Sequence, residues 1–356
     1  MTSFWSKLIP VLGALVLVAA IVLPMQPAIA AICLLTLMGT VVCAVHHAEV
    51  VAHRVGEPFG TLVLALAVTI IEVALIVSIM LSGGPETAVV PRDTVFSAIM
   101  IICNGLIGLC LLIGGIRYRE QSFNMGGANA ALATLIALTT LSLVLPAFTT
   151  TSAGPTYSPS QLAFAALASL VLWGTFVFVQ TIRHRDYFLP VANRADENIH
   201  AMPPTNREAW VSFGFLLLGL AVVVGLAKTL SPSIEAAVLR VGAPQATIGV
   251  LIAVLVLLPE TTAAIRAAMA NRLQTSLNLA LGSALASIGL TIPAVALTSA
   301  LLGTPLQLGL QPKDLVLLTL TFLVTSITLV TGRTSVMQGA IHIVIFAAFL
   351  FLTLIP

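Results

Sequence analysis

Runs of roughly 20 uninterrupted apolar residues, the length a helix needs to cross a bilayer, recur from one end of this chain to the other. No other feature constrains the fold as strongly. In hydrocarbon the backbone must satisfy its own hydrogen bonds, so a spanning chain is either helical or a closed barrel. The runs are continuously apolar and do not alternate, which selects helices. Charge agrees with this: only 8% of the 356 residues are charged, while 59% are hydrophobic. So few charges cannot cover a soluble domain, so a soluble enzyme, a DNA-binding protein and a disordered scaffold are excluded. The net charge of +2 has no basic tract behind it, so nucleic acid is not an expected partner. The expectation is an all-α polytopic membrane protein whose surroundings are the lipid bilayer.

Eleven spans are read, over residues 8–23, 28–52, 59–82, 94–114, 127–148, 160–182, 209–229, 244–265, 274–302, 314–331 and 336–355. Breakers separate them: Pro24 and Pro27, Gly83-Gly84-Pro85, Gly126-Gly127, Gly154-Pro155, Ser231-Pro232 and Gly303-Thr304-Pro305. The first span resembles a signal peptide, but Pro24 and Gln26 interrupt any cleavage site, and it is read as a retained helix. The one long polar stretch, from Arg183 to Glu208, reads as a linker between two halves. With the N-terminus in the cytoplasm, eleven of the 15 Lys and Arg residues fall on the cytoplasmic side and four on the far side. The positive-inside rule therefore places the N-terminus inside and the C-terminus outside, in a bacterial-type inner membrane.

Setting the first helix aside leaves five spans on each side of the linker. Five is odd, so the second half enters the membrane in the opposite sense to the first. The expected organisation is a leading helix (1–24), a first five-helix repeat (25–183), a cytoplasmic linker (184–208) and a second, inverted repeat (209–356). Inverted halves are a recurring design of secondary transporters, with the substrate bound near the midplane between them.

Most of the 13 acidic residues lie in loops or at span ends, but two do not. Glu72 sits deep in the third span and Glu260 deep in the eighth. A charged residue at the centre of a spanning helix costs about 2.5–3.5 kcal/mol on insertion scales and usually faces a bundle interior. Each glutamate lies in the second helix of its half. Each helix opens on a similar phrase, Gly56-Glu57-Pro58 and Gly242-Ala243-Pro244, and the acid follows the glycine by 16 and 18 residues. In an inverted repeat the two carboxylates approach each other near the midplane. Two such carboxylates cannot both stay ionised without a counter-charge. They must take up protons or bind a cation, so cation and proton compete for the same groups.

The neighbouring residues suit a hard cation, which prefers oxygen ligands. Thr69 lies one turn before Glu72, and the ninth span carries Ser283, Ser287 and Thr291. Simple packing is the competing reading of those hydroxyls. Asn104 reads equally as an amide ligand or as a partner for a neighbouring helix. His46, His47 and Glu49, followed by Glu57, cluster at the cytoplasmic end of the second span. They read as a polar interfacial cap, or as a pH-sensing or gating group. His342 reads as a hydrogen-bonded structural residue, and Cys33, Cys43, Cys103 and Cys110 as buried thiols. No P-loop, zinc pair or Ser–His arrangement is present, so neither ATP hydrolysis nor an enzyme is expected, and no cofactor. A passive cation channel with an acidic constriction stays open as the alternative to coupled exchange.

Several phrases carry a resemblance. Arg54-Val55-Gly56-Glu57-Pro58-Phe59-Gly60 with Glu72 resembles the first α-repeat of the cation/proton exchanger branch of the calcium/cation antiporters. Leu281-Gly282-Ser283-Ala284-Leu285 with Pro293 resembles the second. Gly332-Arg333-Thr334 with Gly339 is similar to the family's last-helix motif, as is Gly108 with Gly114-Gly115 in the fourth span. The similarity runs from about residue 40 onward and points to the bacterial ChaA type, which exchanges sodium, potassium or calcium ions for protons. The resemblance implies eleven helices in two inverted halves and second and seventh helices that slide as gates. It also implies that Glu72 and Glu260 bind cation and proton, with inorganic cations and protons as the partners. Oligomeric state, including a homo-oligomer, stays open. Family members that handle calcium commonly carry Gly-Asn shortly before each acid. Here Val68-Thr69 and Val256-Leu257 stand at those positions, and Ala286 replaces a glutamine common in the ninth helix. The implied set of oxygen ligands is correspondingly smaller, which counts against high-affinity calcium binding and leaves sodium or potassium exchange fully open. The expected function is a secondary antiporter that expels Ca²⁺, Na⁺ or K⁺ from the cytoplasm in return for protons.

Overall fold

The computed structural model describes residues 4–56, 59–82, 84–188, 204–304 and 306–356. Among these, eleven helices are long and apolar enough to cross a membrane. They are α1 (Phe4–Val22), α2 (Pro27–Val55), α3 (Phe59–Ser82), α4 (Thr87–Tyr118), α5 (Met125–Ala147) and α6 (Pro159–Arg183). The second half continues with α7 (Asn206–Val241), α8 (Ala246–Met269), α9 (Leu273–Leu302), α10 (Pro312–Val330) and α11 (Val336–Leu354). Their starts are chemically marked. Pro27, Pro159 and Pro312 occupy first-turn positions where a missing N–H costs nothing. Ser158 with Gln161, and Ser335 with Gln338, form reciprocal capping boxes at α6 and α11. Most of the linker lies outside the described residues, as does Glu57.

Two expected breakers do not break. Pro232 lies inside α7, which continues to Val241. The proline removes one backbone donor, but α7 packs along α2 and α3 there, and the buried Ser231 hydroxyl reaches the Ser78 carbonyl oxygen at 3.4 Å. Helix continuity costs less than exposing the remaining backbone groups. Gly126 and Gly127 fall in the first turn of α5, which the Asn124 side chain caps by accepting from the Gly126 N–H at 2.9 Å. Their smallness admits the segment around Tyr187, whose carbonyl oxygen would sit 2.5 Å from a Cβ on Gly127.

The helices pack in a pattern that exchanges the two halves. The first helices of each half, α2 and α7, pack on each other, and α1 leans on both. α3 packs on α9, and its counterpart α8 packs on α4. The last helix of each half, α6 or α11, packs on the third helix of the other, α9 or α4. The result is two inverted five-helix halves with a leading helix. A two-stranded antiparallel pair, β1 (Gln121–Ser122) and β2 (Arg333–Thr334), ties the α4–α5 and α10–α11 loops together. The motif glycines serve the α4–α11 crossing: a Cβ on Gly339 would lie 2.5 Å from the Leu112 amide nitrogen, and one on Gly108 would lie 2.7 Å from the His342 Cβ.

Buried apolar side chains form two clusters that cut across the halves. One joins α4, α5, α6, α9, α10 and α11 with part of α8. The other joins α1, α2, α3 and α7 with the outer part of α8. Large apolar residues face outward, as lipid requires: α1 buries Ser6, Pro10, Gly13 and Ala20 and exposes Leu15, Val18 and Ile21. The four cysteines are buried and free.

Gly249 is the tightest point between α8 and α4. A Cβ there would lie 2.6 Å from the Asp93 carbonyl carbon and 2.7 Å from the Thr94 amide nitrogen, both backbone atoms that cannot swing aside. Gly249→Ala is expected to destabilise the protein by about 1–3 kcal/mol, the cost of overpacking. Gly282→Ala, whose Cβ meets nothing within 4 Å, is expected to raise stability by up to about 1 kcal/mol, because alanine is the better residue in a helix interior. Thermal unfolding of the two variants in detergent measures the difference.

Candidate functional site

Glu72 and Glu260 face one cavity of about 250 Å³. Thr69, Ser283 and Ser287 line it with them, so the structure brings together the two acids and three hydroxyls singled out from the sequence. The cavity lies between α3, α6, α8 and α9, with Ala98 of α4 at its wall. It sits at the seam of the two apolar clusters: Ala98, Phe176, Ala253 and Leu257 belong to one and Val256 to the other. Most of its wall is apolar, including Leu64, Val68 and Trp173, so its few polar groups act in a poorly solvated space.

The two acids are held differently. Glu72 is 2% exposed, and both its oxygens accept hydroxyls from α9: Ser287 donates to Oε1 at 2.7 Å and Thr291 donates to Oε2 at 2.8 Å. Four residues separate these donors, so they lie one turn apart on one helix face and clasp the carboxylate from a single side. Glu260 is partly exposed to the cavity, and its buried Oε2 has no hydrogen-bond partner among the described residues. Ala98, the α4 residue at the cavity wall, has no side-chain donor. Of the threonines after Glu260, Thr262 donates to the Pro259 carbonyl at 2.8 Å and also accepts from Arg266 at 3.2 Å, so it serves its own helix.

Beyond the carboxylates the helices close. Ile76, Ile79, Ile252 and Val295 are all at most 5% exposed and belong to one packed cluster on the side that the charge count assigns to the exterior. In the other direction the cavity runs along Leu64 and Ala65 of α3, Gln180 of α6 and Thr275 and Asn278 of α9. Those residues lie toward the helix ends that carry Arg183 and Arg272.

Sequence reasoning missed Gln180 and Asn278. Both are polar residues one or two turns inside an apolar run, and ordinary helical spacing sets them on the cavity faces, Gln180 with Trp173, Phe176 and Val177 and Asn278 with Thr275, Leu279 and Gly282, so the signal was visible. Gln180 sits in a π-helical turn, Val179–Arg183, closed by the His184 N–H donating to the Val179 carbonyl at 2.8 Å. Such turns re-aim side chains and recur at functional sites.

The remaining candidates among the described residues do not line the cavity. His47 is buried, places Nε2 2.9 Å from the Ser6 carbonyl oxygen and stacks on Phe215 at 5.3 Å. It joins α2 to α1 and α7. His46 stands 4.0 Å from the exposed Glu49. Asn104 and His342 resolve as structural. Asn104 donates to Thr321 at 2.8 Å and its Oδ1 accepts from His342 Nδ1 at 3.1 Å, while His342 Nε2 meets Thr328 at 3.1 Å. This network joins α4, α10 and α11, and a π-turn at Ile101–Leu106 positions Asn104 in it. No set of three or more His, Cys, Asp or Glu side chains converges among the described residues.

Comparison with known proteins adds the following. The chain matches the family described as sodium/calcium exchanger protein over residues 25–182 and 211–355. It is 50% identical, over 99% of its length and 96% of the relative's, to y4hA of Sinorhizobium fredii, a protein named for ionic transport. It is 34% identical, over 97% of its length and 94% of the relative's, to the sodium-potassium/proton antiporter ChaA of Escherichia coli. Among solved structures, native YfkE superposes with a TM-score of 0.76 at 17% identity, covering 99% of this chain and 100% of that one. YfkE is described as a Ca²⁺/H⁺ antiporter protein.

The Asn104 network separates structural from ligand roles. Asn104→Leu leaves Thr321 and His342 without their buried partner and is expected to cost about 1–3 kcal/mol. Melting temperature should fall, whereas the ratio of responses to different cations in a flux assay should not move.

Proposed function

This chain belongs to the sodium/calcium exchanger protein family, and from that premise we propose that it is a secondary active antiporter that carries cations out of the cytoplasm in exchange for protons. The observation that carries this reading is the shared cavity: one deep carboxylate from each inverted half opens into it. Glu72 is the fixed member of the pair, with both oxygens clasped by α9 hydroxyls. Glu260 is the unclasped member, with an oxygen left without a partner for an incoming cation or proton. A cation bound between them neutralises the pair, and its departure leaves two carboxylates that must recover protons. Cation and proton therefore occupy the site in turn, and their mutual exclusion couples the two fluxes.

Na⁺ and K⁺ are the favoured cargo. Val256 and Leu257, in the turn before Glu260, line the cavity without a side-chain oxygen, so no amide ligand stands beside Glu260 there. Ser287 is already engaged with Glu72. Calcium takes 6–8 oxygen ligands, and it is expected to bind more weakly than in a site with additional amides. A passive channel is disfavoured because the packed Ile76, Ile79, Ile252 and Val295 leave no continuous pore past the carboxylates. The charge count supports an inner-membrane protein with its N-terminus in the cytoplasm and the open end of the cavity facing that side.

Everted vesicles with an acidified lumen and a pH-sensitive dye give the test. Adding Na⁺ or K⁺ is expected to release protons from the lumen at lower concentration than Ca²⁺ does. Glu72→Gln and Glu260→Gln are each expected to reduce the flux about tenfold or more, a loss of at least about 1.4 kcal/mol. Full exchange in both variants would remove the carboxylates from the mechanism.

A further inference from the structure

The cavity is longer than its carboxylates require. From the level of Ser287 it follows α9 back through Ser283, Leu279 and Asn278 to Thr275. Asn278 and Ser287 are nine residues apart, so at 1.5 Å per residue this end lies about 13 Å from the clasped acid. Across from it stands Gln180, which follows Trp173, Phe176 and Val177 on the cavity face of α6. None of the residues lining this end is charged. Gln180 and Thr275 make no side-chain hydrogen bond to the described residues. Asn278 is oriented by two contacts: its Nδ2 donates to the Phe188 carbonyl at 2.6 Å, and its Oδ1 accepts from Gln274 at 2.9 Å, with one lone pair left over.

We propose that this mouth is a second cation site, in which Gln180, Thr275 and Asn278 present neutral oxygens to a partly dehydrated monovalent cation before it reaches Glu72 and Glu260. The inference rests on the antiport reading above. Unpartnered amide and hydroxyl groups beside an apolar wall replace part of a hydration shell at no cost in broken protein hydrogen bonds. With no carboxylate at this level, the site suits a single charge better than a double one, which keeps much of its water. Gln180 falls on the same helix face as Trp173, Phe176 and Val177 by the ordinary i, i+3, i+4, i+7 spacing. Asn278 also braces Phe188, so its loss disturbs packing. Gln180 and Thr275 are the informative positions.

The test is cation-driven proton flux in proteoliposomes holding wild type, the pair Gln180→Ala with Thr275→Val, or Gln180→Glu. The paired variant is expected to raise the half-saturating Na⁺ or K⁺ concentration about five- to tenfold, with less than twofold change in flux at saturation. Gln180→Glu, which adds a charge at the mouth, is expected to shift the response toward Ca²⁺ relative to Na⁺. An active wild type and a paired variant with the same half-saturation would overturn the mouth site alone. A wild type without cation-driven proton flux would overturn the antiport reading beneath it. If the paired variant fails to insert, an unchanged Ca²⁺ to Na⁺ ratio in Gln180→Glu overturns the mouth site instead.

Discussion

A carboxylate held away from water must be neutralised, and two such carboxylates on one cavity must be neutralised together. The rest of this structure depends on that requirement. The inverted halves place one acid on each side of a common space. The apolar wall excludes the water that would otherwise screen them. Beyond them Ile76, Ile79, Ile252 and Val295 pack into one apolar cluster. Removing the carboxylates would leave a well-packed helical bundle with no reason for a polar seam at its centre.

The seam is asymmetric although the halves are related. Glu72 is clasped by two hydroxyls from one face of α9, whereas Glu260 has a buried oxygen with no hydrogen-bond partner among the described residues. A clasped acid is a stationary ligand, and an unclasped one can change partner. The cavity also lies where the two apolar clusters meet, and α8 contributes side chains to both, so any sliding of α1, α2, α3 and α7 against the remainder must repack side chains along α8. Shear between packed helices of this kind is one of the established modes of conformational change.

Much of this was legible in the sequence, because apolar runs and isolated charges are one-dimensional signals. The eleven helices, the odd number per half and the two deep acids follow from composition and position. Direction of side chains does not. Three π-turns, at Ile101–Leu106, Thr140–Val144 and Val179–Arg183, shift the facing of whatever follows, and no residue preference announces them. That is why Asn104 read equally as ligand or brace. Gln180 shares a helix face with Trp173, Phe176 and Val177, but nothing in the sequence joins that face to the two acids. Pro232 misled for a related reason: its local cost is real, but packing against α2 and α3 outweighs it. The hydroxyl clasp joins residues 215 and 219 positions apart, a pairing that only the folded chain displays.

The central claim is that cation and proton compete for the same two carboxylates. Proton release on cation binding tests it most directly, using purified protein in lightly buffered detergent. Addition of Na⁺ or K⁺ is expected to acidify the solution stoichiometrically, and the paired change Glu72→Gln with Glu260→Gln is expected to abolish the signal. Cation binding without proton release, or release that survives in the paired variant, would contradict the account.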